Sequence, residues 1–227
     1  PWRWIFVFLT VYGILSMAWM YVRLPETLRP ENKRTLQPSA IADAVWQALS
    51  TRRTLGYMLA TGVTQGMLLA TLYAAPQVMG DLLGMGTYFT VAFGVSAAVM
   101  STGSFLNSRL VGRFGMRLLS HLGMSVATLL SALFLWLAYA NMVDGIVYVV
   151  LVSLINALCM AASSNFNAMA MEPQGRIAGT ASSLFGSVTT LIQAGIAPFI
   201  CPAHKGARIP PIARLFVRGP VVLALAA

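Results

Sequence analysis

Six uncharged, apolar stretches constrain the fold of this chain more tightly than any other feature of its sequence. They contain no Asp, Glu, Lys or Arg and cover residues 4–22, 54–80, 82–108, 118–143, 145–171 and 177–203. A helix needs about 20 mostly apolar residues to cross the hydrocarbon core of a bilayer. None of the stretches alternates polar and apolar residues with period two, which disfavours a transmembrane barrel. The sequence therefore predicts an all-α, polytopic membrane protein with about six transmembrane helices.

The charge content supports a membrane protein and argues against other classes. Only 9% of the residues are charged, whereas soluble domains have about 25%. The net charge of +9 would suit a nucleic-acid partner, but the basic residues form short clusters between the apolar stretches. We therefore expect the lipid bilayer as partner and no nucleic acid. The two cysteines, Cys159 and Cys201, lie far apart in the sequence, as do the two histidines, His121 and His204, so no metal site, cofactor or disulfide framework is expected.

The connectors between the stretches are asymmetric in charge. If the first stretch ends on side A, the connectors on that side are 23–53, 109–117 and 172–176. Their basic residues are Arg23, Arg29, Lys33, Arg34, Arg52, Arg53, Arg109, Arg113, Arg117 and Arg176. The opposite connectors, around Asp81 and Asp144, contain none. Since Lys and Arg collect in short cytoplasmic loops, side A is predicted to face the cytoplasm.

The first connector is long enough to hold an element of its own. Its first part is rich in proline and charge, which indicates an extended linker. Residues 39–50 then place apolar side chains at helical spacing: Ile41, Val45, Ala48 and Leu49. We predict a short amphipathic helix on the inner surface, with Ser39 as its N-cap and Trp46 near the headgroups.

One apolar helix, a long linker and five closely joined helices resemble the sixth helix, central loop and helices seven to eleven of a major facilitator superfamily transporter. Residues 103–117, GSFLNSRLVGRFGMR, resemble the superfamily's cytoplasmic loop motif, roughly Gly-x-x-x-Asp-x-x-Gly-Arg-Arg/Lys, between helices eight and nine. Gly103 matches the motif's glycine, and Asn107 stands where the motif has Asp. The basic positions are matched loosely, by Arg109, Arg113 and Arg117. These arginines either set topology alone or also pair across domains in one transport state.

Two further segments resemble the Bcr/CflA-type multidrug efflux transporters, which are drug:proton antiporters. WRWIFVFLTVYG followed by LPETL resembles the sixth helix and its exit, and MEPQGRIAGTASSLFGS resembles the start of helix eleven. The resemblance, over roughly residues 1–200, implies a transporter rather than an enzyme, in the bacterial cytoplasmic (inner) membrane. It implies a drug-like substrate and protons as partners. Another superfamily carrier, for a sugar or metabolite, and a non-transporting membrane scaffold subunit are the alternatives.

The resemblance also divides the chain. Residues 1–22 correspond to the sixth transmembrane helix, 23–53 to the cytoplasmic linker, and 54–200 to five helices of the C-terminal half. Residues 201–227 carry four basic residues among prolines, and we expect either an out-of-frame tail or a native periplasmic one. The chain opens without Met, and we expect a C-terminal fragment that is inactive alone. No carboxylate lies inside a stretch, so the resemblance places the proton carrier in the missing N-terminal half.

Substrate contacts in such a transporter line a cavity between the two halves, which directs attention to polar residues inside the stretches. The candidates are Gln65, Tyr73, Asn156, Asn167 and Ser187. The alternative interpretation is hydrogen bonding between packed helices, at ~0.6 kcal/mol for each bond. The spacing Gly62-x-x-x-Gly66 predicts a close helix contact.

Overall fold

A computed structural model describes residues 2–24, 38–82, 84 and 86–200. Seven α-helices follow one another in this part of the chain: α1 (Arg3–Arg23), α2 (Pro38–Ser50), α3 (Arg52–Gln77), α4 (Phe89–Phe114), α5 (Met116–Tyr139), α6 (Gly145–Met171) and α7 (Ala178–Ile200). The described residues contain no strand, which confirms the all-α prediction. Residues 25–37 of the predicted linker and the whole of the predicted tail, 201–227, lie outside the described residues.

Five of the described helices are long and apolar enough to cross a bilayer: α1, Arg52–Pro76 of α3, α4, α5, and Gly145–Gly175, which extends α6. The helix α7 occupies most of the sixth predicted stretch. The predicted connector 109–117 is wrong in extent, because α4 continues to Phe114 and α5 begins at Met116. Arginine is a good helix former, and its long side chain reaches the headgroups from a helix end. An uncharged stretch therefore shows which part of a helix lies in the hydrocarbon core, but the helix itself can continue into the headgroup region.

The chain divides into two compact units, with the boundary after Ala40. The first contains α1, a 21-residue helix whose last turn carries Arg23. The Arg23 guanidinium lies 5.5 Å from the centre of the Trp19 ring, an arrangement that suits a cation–π contact. The second unit contains the remaining helices and is a bundle.

Helix α6 is the centre of this bundle and packs against α3, α4 and α5. Its side chains are apolar on nearly every face, as suits a helix that is surrounded by protein or lipid on all sides. Phe166 of α6 stacks on Tyr57 of α3 with ring centres 5.7 Å apart. Near the other end of α6, Tyr148 contacts Phe134 of α5, at 6.1 Å. The long apolar run of α6 thus fixes the positions of three neighbours.

Helix α7 packs along α3, and two glycines allow the close approach. A Cβ atom at Gly62 would lie 2.7 Å from Cδ1 and 3.0 Å from Cβ of Ile192. A Cβ atom at Gly66 would lie 2.9 Å from Cδ1 of Ile196. The prediction of a helix contact at this Gly-x-x-x-Gly spacing is confirmed.

A helix, α2, is present where the amphipathic segment is predicted, but its contacts differ from the expectation. The helix begins at Pro38, so Ser39 lies in its first turn and the N-cap prediction is wrong. The fully buried residues are small: Ala44 and Ala48 pack against Ile177, the residue before α7, and against Ala181 in the first turn of α7. Trp46 is 74% exposed, as the prediction of a headgroup contact requires.

Candidate functional site

The first substrate candidate, Gln65, lies at the seam between α3 and α7. Its Oε1 accepts a hydrogen bond from Nε2 of Gln193, at 2.7 Å, and the pair is half-buried. The close approach at Gly62 and Gly66 brings these two amides within reach of each other. Gln65 therefore ties two helices together and still presents part of its amide at the edge of the seam. Gln193 was not among the sequence candidates, although it lies on the same predicted stretch as Ser187.

Tyr73 lies on a different face of α3 from the buried polar residues. The side chain is 58% exposed, whereas Thr61 is fully buried. A step of four residues turns a helix about 40° beyond a full turn, since each residue turns it about 100°. Thr61 and Tyr73 are three such steps apart, so their side chains point about 120° away from each other around the helix axis. The exposed phenol is available to a partner outside this bundle.

Ser187 belongs to an exposed face of α7 made of small and polar residues: Ser182, Ser183, Gly186, Ser187 and Thr190. We call these five residues the α7 polar face. The Ser187 hydroxyl donates to the carbonyl oxygen of Ser183 at 2.9 Å, and the Thr190 hydroxyl donates to that of Gly186 at 2.8 Å. The hydroxyl protons are thus satisfied within the helix, while the oxygen lone pairs remain accessible.

Asn156 lines a small cavity between α3, α4 and α6. The cavity has about 70 Å³, and its polar lining includes Thr71, Ser96 and Tyr148. Among the described residues, the buried Tyr148 hydroxyl has no hydrogen-bond partner. Pockets for drug-sized ligands have about 300 Å³ or more. As formed in this bundle, the cavity suits water rather than a substrate.

The asparagine pair of α6 separates into one buried and one exposed residue. The candidate Asn167 is exposed, while Asn165 is 4% exposed. Asn165 exchanges two hydrogen bonds with Asn107 of α4, each 3.0 Å long. Asn107, which stands where the loop motif has Asp, therefore joins α4 to α6. Sequence reasoning missed Asn165. The spacing could have indicated it, because two residues that are two positions apart on a helix point to nearly opposite sides, so Asn165 and Asn167 lie on different faces.

The glycines of the loop motif have different environments. Gly103 faces α6, where an added Cβ would lie 3.0 Å from Cβ of Ala157. Gly115 is the single residue between α4 and α5, with φ 81° and ψ 151°, a conformation that only glycine adopts readily. Gly112 faces open space. Two of the three glycines therefore have a structural role. Gly103 allows the close packing of α4 against α6, and Gly115 allows the turn between α4 and α5.

The motif arginines lie at the same end of the bundle. The guanidinium of Arg109 is 5.2 Å from the centre of the Phe105 ring, and that of Arg113 is 5.6 Å from the Phe114 ring. Both side chains are exposed. Arg117 instead lines a cavity of about 580 Å³ with His121, Arg53 and Glu172.

This cavity collects residues from all three connectors predicted for side A. Arg53 comes from the first connector, Arg117 from the second and Glu172 from the third. The structure therefore brings one residue of each connector together at one end of the bundle, which we call the basic end. Arg53 and Glu172 form an ion pair at 3.5 Å, with both side chains more than half exposed. Such a pair contributes little to stability.

A buried polar contact lies beside this end and was not predicted. The Thr54 hydroxyl donates to the carbonyl oxygen of Ala170 at 3.1 Å and accepts from Nε2 of Gln174 at 2.9 Å. Thr54 and Gln174 are both almost fully buried. The contact joins the start of α3 to the end of α6. Among the described residues, no group of three or more His, Cys, Asp or Glu side chains could hold a metal ion.

Comparison with known proteins agrees with this architecture. The family model of the Major Facilitator Superfamily matches residues 1–198. The chain is 30% identical over 206 residues to the uncharacterized MFS-type transporter YdgK of Bacillus subtilis, covering 88% of this chain and 50% of that protein. It is 29% identical over 202 residues to the bicyclomycin resistance protein homolog of Haemophilus influenzae, covering 85% and 48%. No solved structure matches the chain.

The chain therefore spans about half the length of the curated relatives it matches. Its five described helices of membrane length make it a multi-pass membrane protein. The match extends from the first helix through the bundle and covers most of the sequence. This chain belongs to the major facilitator superfamily, a family of transporters rather than enzymes.

Proposed function

We propose that this chain forms one half of a Bcr/CflA-type transporter that exports drug-like small molecules from bacteria in exchange for protons. In this proposal the bundle supplies one wall of the substrate cavity, and a second bundle supplies the other wall. The observation that carries the proposal is the α7 polar face. It lies on a helix of a membrane protein, yet no described residue of this bundle covers it.

An exposed polar face suits water or protein better than lipid. Polar side chains in membrane proteins generally face the bundle interior or a water-filled cavity. The Gln65–Gln193 pair borders this side of the α3–α7 seam, and the exposed Tyr73 lies on α3. Together these side chains offer hydrogen-bond acceptors and an aromatic surface without a fixed charge. Such a wall favours neutral or cationic apolar molecules of varied shape.

The proposed drug class is also supported by a relative, which is named as a bicyclomycin resistance protein homolog. The proton carrier has to come from elsewhere in the assembled transporter. Proton coupling requires an ionisable group whose protonation changes between the two access states. The acids Asp144 and Glu172 are exposed at helix ends rather than inside a membrane span, where a coupling group is expected to lie. The chain alone is therefore expected to be inactive.

The experiment joins this chain to the helices that precede the sixth helix in the Haemophilus influenzae relative and expresses the chimera in a pump-deficient strain. Accumulation of a fluorescent cationic drug is measured with and without a protonophore. We expect the chimera to lower accumulation in a protonophore-sensitive way, and residues 1–227 alone to have no effect. The variant Ser187→Phe, which fills the α7 polar face, should abolish efflux at equal membrane abundance.

The matched control is Leu129→Phe, on the exposed apolar surface of α5, which should leave efflux unchanged. Equal efflux by the Ser187→Phe and parent chimeras would contradict the assignment of the cavity wall. Efflux by residues 1–227 alone would contradict the two-bundle proposal.

A further inference from the structure

We propose that the cavity at the basic end binds the phosphate headgroup of an anionic phospholipid. The cavity lies between the start of α3, the start of α5 and the end of α6, and has about 580 Å³. It is open to the surroundings of the bundle rather than enclosed. The proposal requires only the membrane topology and does not rest on the proposed transport function.

The charges that line the cavity are unbalanced. The guanidinium groups of Arg53 and Arg117 face a single carboxylate, that of Glu172, and His121 adds a ring nitrogen that can donate a hydrogen bond. Glu172 lies 3.5 Å from Arg53 and partly offsets it. Among the described residues, no carboxylate forms an ion pair with Arg117. Arg117 and His121 are four residues apart on α5 and so lie on neighbouring turns of one face, where both can donate to one phosphate.

The start of α5 adds to the positive potential. The residue before it is Gly115, which offers no side-chain cap, and the first turn contains no acid. The first backbone N–H groups of a helix are left without partners inside it and favour an anion. These N–H groups lie beside Arg117. The helix end and the basic side chains therefore both favour a negatively charged ligand.

The surroundings favour a lipid over a soluble anion. Phe114 and Leu118 line the same cavity and are about half exposed, at 49% and 50%. An apolar rim next to basic groups suits the junction between headgroup and acyl chain. The cavity lies at the end of membrane-length helices, at the level where basic pockets between helices bind anionic headgroups. A free phosphate ion would gain nothing from the apolar rim.

The test uses the intact 227-residue chain in phosphatidylcholine vesicles that contain a small fraction of spin-labelled phosphatidylglycerol. The immobilised fraction of the label gives the affinity for phosphatidylglycerol relative to labelled phosphatidylcholine. We expect selective, saturable binding and an about tenfold loss of selectivity in Arg117→Gln, typical of losing one hydrogen bond to a charged group. Arg109→Gln removes the same charge from the same end outside the cavity and should change selectivity less than twofold.

A second variant keeps the test decisive if Arg117→Gln folds poorly. Glu172→Gln removes the competing carboxylate and should increase selectivity, a gain that misfolding cannot produce. Equal losses in Arg109→Gln and Arg117→Gln would overturn the proposal in favour of general surface attraction. Equal binding of the two lipids would overturn it as well. Displacement of the labelled lipid by millimolar inorganic phosphate would assign the cavity to a soluble anion instead.

Discussion

At the scale of single residues, the basic end separates positions that the backbone requires from positions that it tolerates. Gly115 has a positive φ angle of 81° and forms the whole connection between α4 and α5. Gly112, three residues earlier, is inside α4 and has nothing within 4 Å of an added Cβ. The two glycines look equivalent in the sequence motif but differ in backbone conformation.

The variant Gly115→Ala is expected to lower the free energy of unfolding by about 1–3 kcal/mol, because alanine is strained in this backbone region. Gly112→Ala is the matched control and should be neutral or stabilise α4 by up to about 1 kcal/mol, the difference in helix propensity. Thermal unfolding of both variants in the same detergent measures the difference. Equal stabilities would contradict the turn geometry.

The Asn107–Asn165 pair gives a second prediction. Asn107→Ala leaves the buried Asn165 amide without its partner and should destabilise the bundle by about 1–3 kcal/mol. The double variant Asn107→Ala, Asn165→Ala removes both groups and should be less destabilised than the sum of the single variants. Asn167→Ala, at an exposed position, should change stability by less than about 0.5 kcal/mol. Additive effects of the two pair variants would show that the amides do not interact.

Sequence reasoning was weakest at this scale. It identified Gln65 as a polar residue in an apolar helix and Asn107 as a position of the loop motif, but it did not identify their partners, Gln193 and Asn165. A partner on another helix depends on which face each helix presents and on the register between them. Neither the face nor the register can be predicted from the spacing of residues along one helix. The roles of the substrate candidates remain predictions.

At the scale of helices, the close contact between α3 and α7 is open to a direct test. Gly62→Ala places a Cβ atom 3.0 Å from Cβ of Ile192, an atom that cannot rotate away. We expect a loss of about 1–3 kcal/mol, typical of overpacking. Gly94→Ala on α4, with nothing within 4 Å, should not destabilise the bundle. Denaturant unfolding in detergent would refute the contact if both variants behaved alike.

The sequence predicted these helices better than it predicted their ends. Uncharged stretches located the helices because lipid requires apolar side chains over the hydrocarbon depth. The stretches missed the helical part of α4 that carries Arg109 and Arg113, since charged residues remain helical at headgroup level. In α2, the helix was predicted, but small alanines rather than the larger apolar residues make the buried contact.

At the scale of the whole molecule, residues of the three basic connectors meet at one end of the bundle, where Arg53, Arg117 and Glu172 share a cavity. The charge asymmetry of the connectors predicts that this end faces the cytoplasm. The central position of α6 was not predictable, because an apolar helix in lipid and an apolar helix in protein have similar composition. The proposed cavity wall and the lipid site both require this orientation.

The most direct test is labelling of single cysteines with a membrane-impermeant maleimide. In a background with Cys159 and Cys201 replaced by alanine, Arg113→Cys places a thiol at the basic end, and Met142→Cys places one between α5 and α6. Both positions are exposed. The account predicts that residue 113 reacts only from the cytoplasmic side of the membrane and residue 142 only from the opposite side. Reaction of both thiols from the same compartment would contradict it.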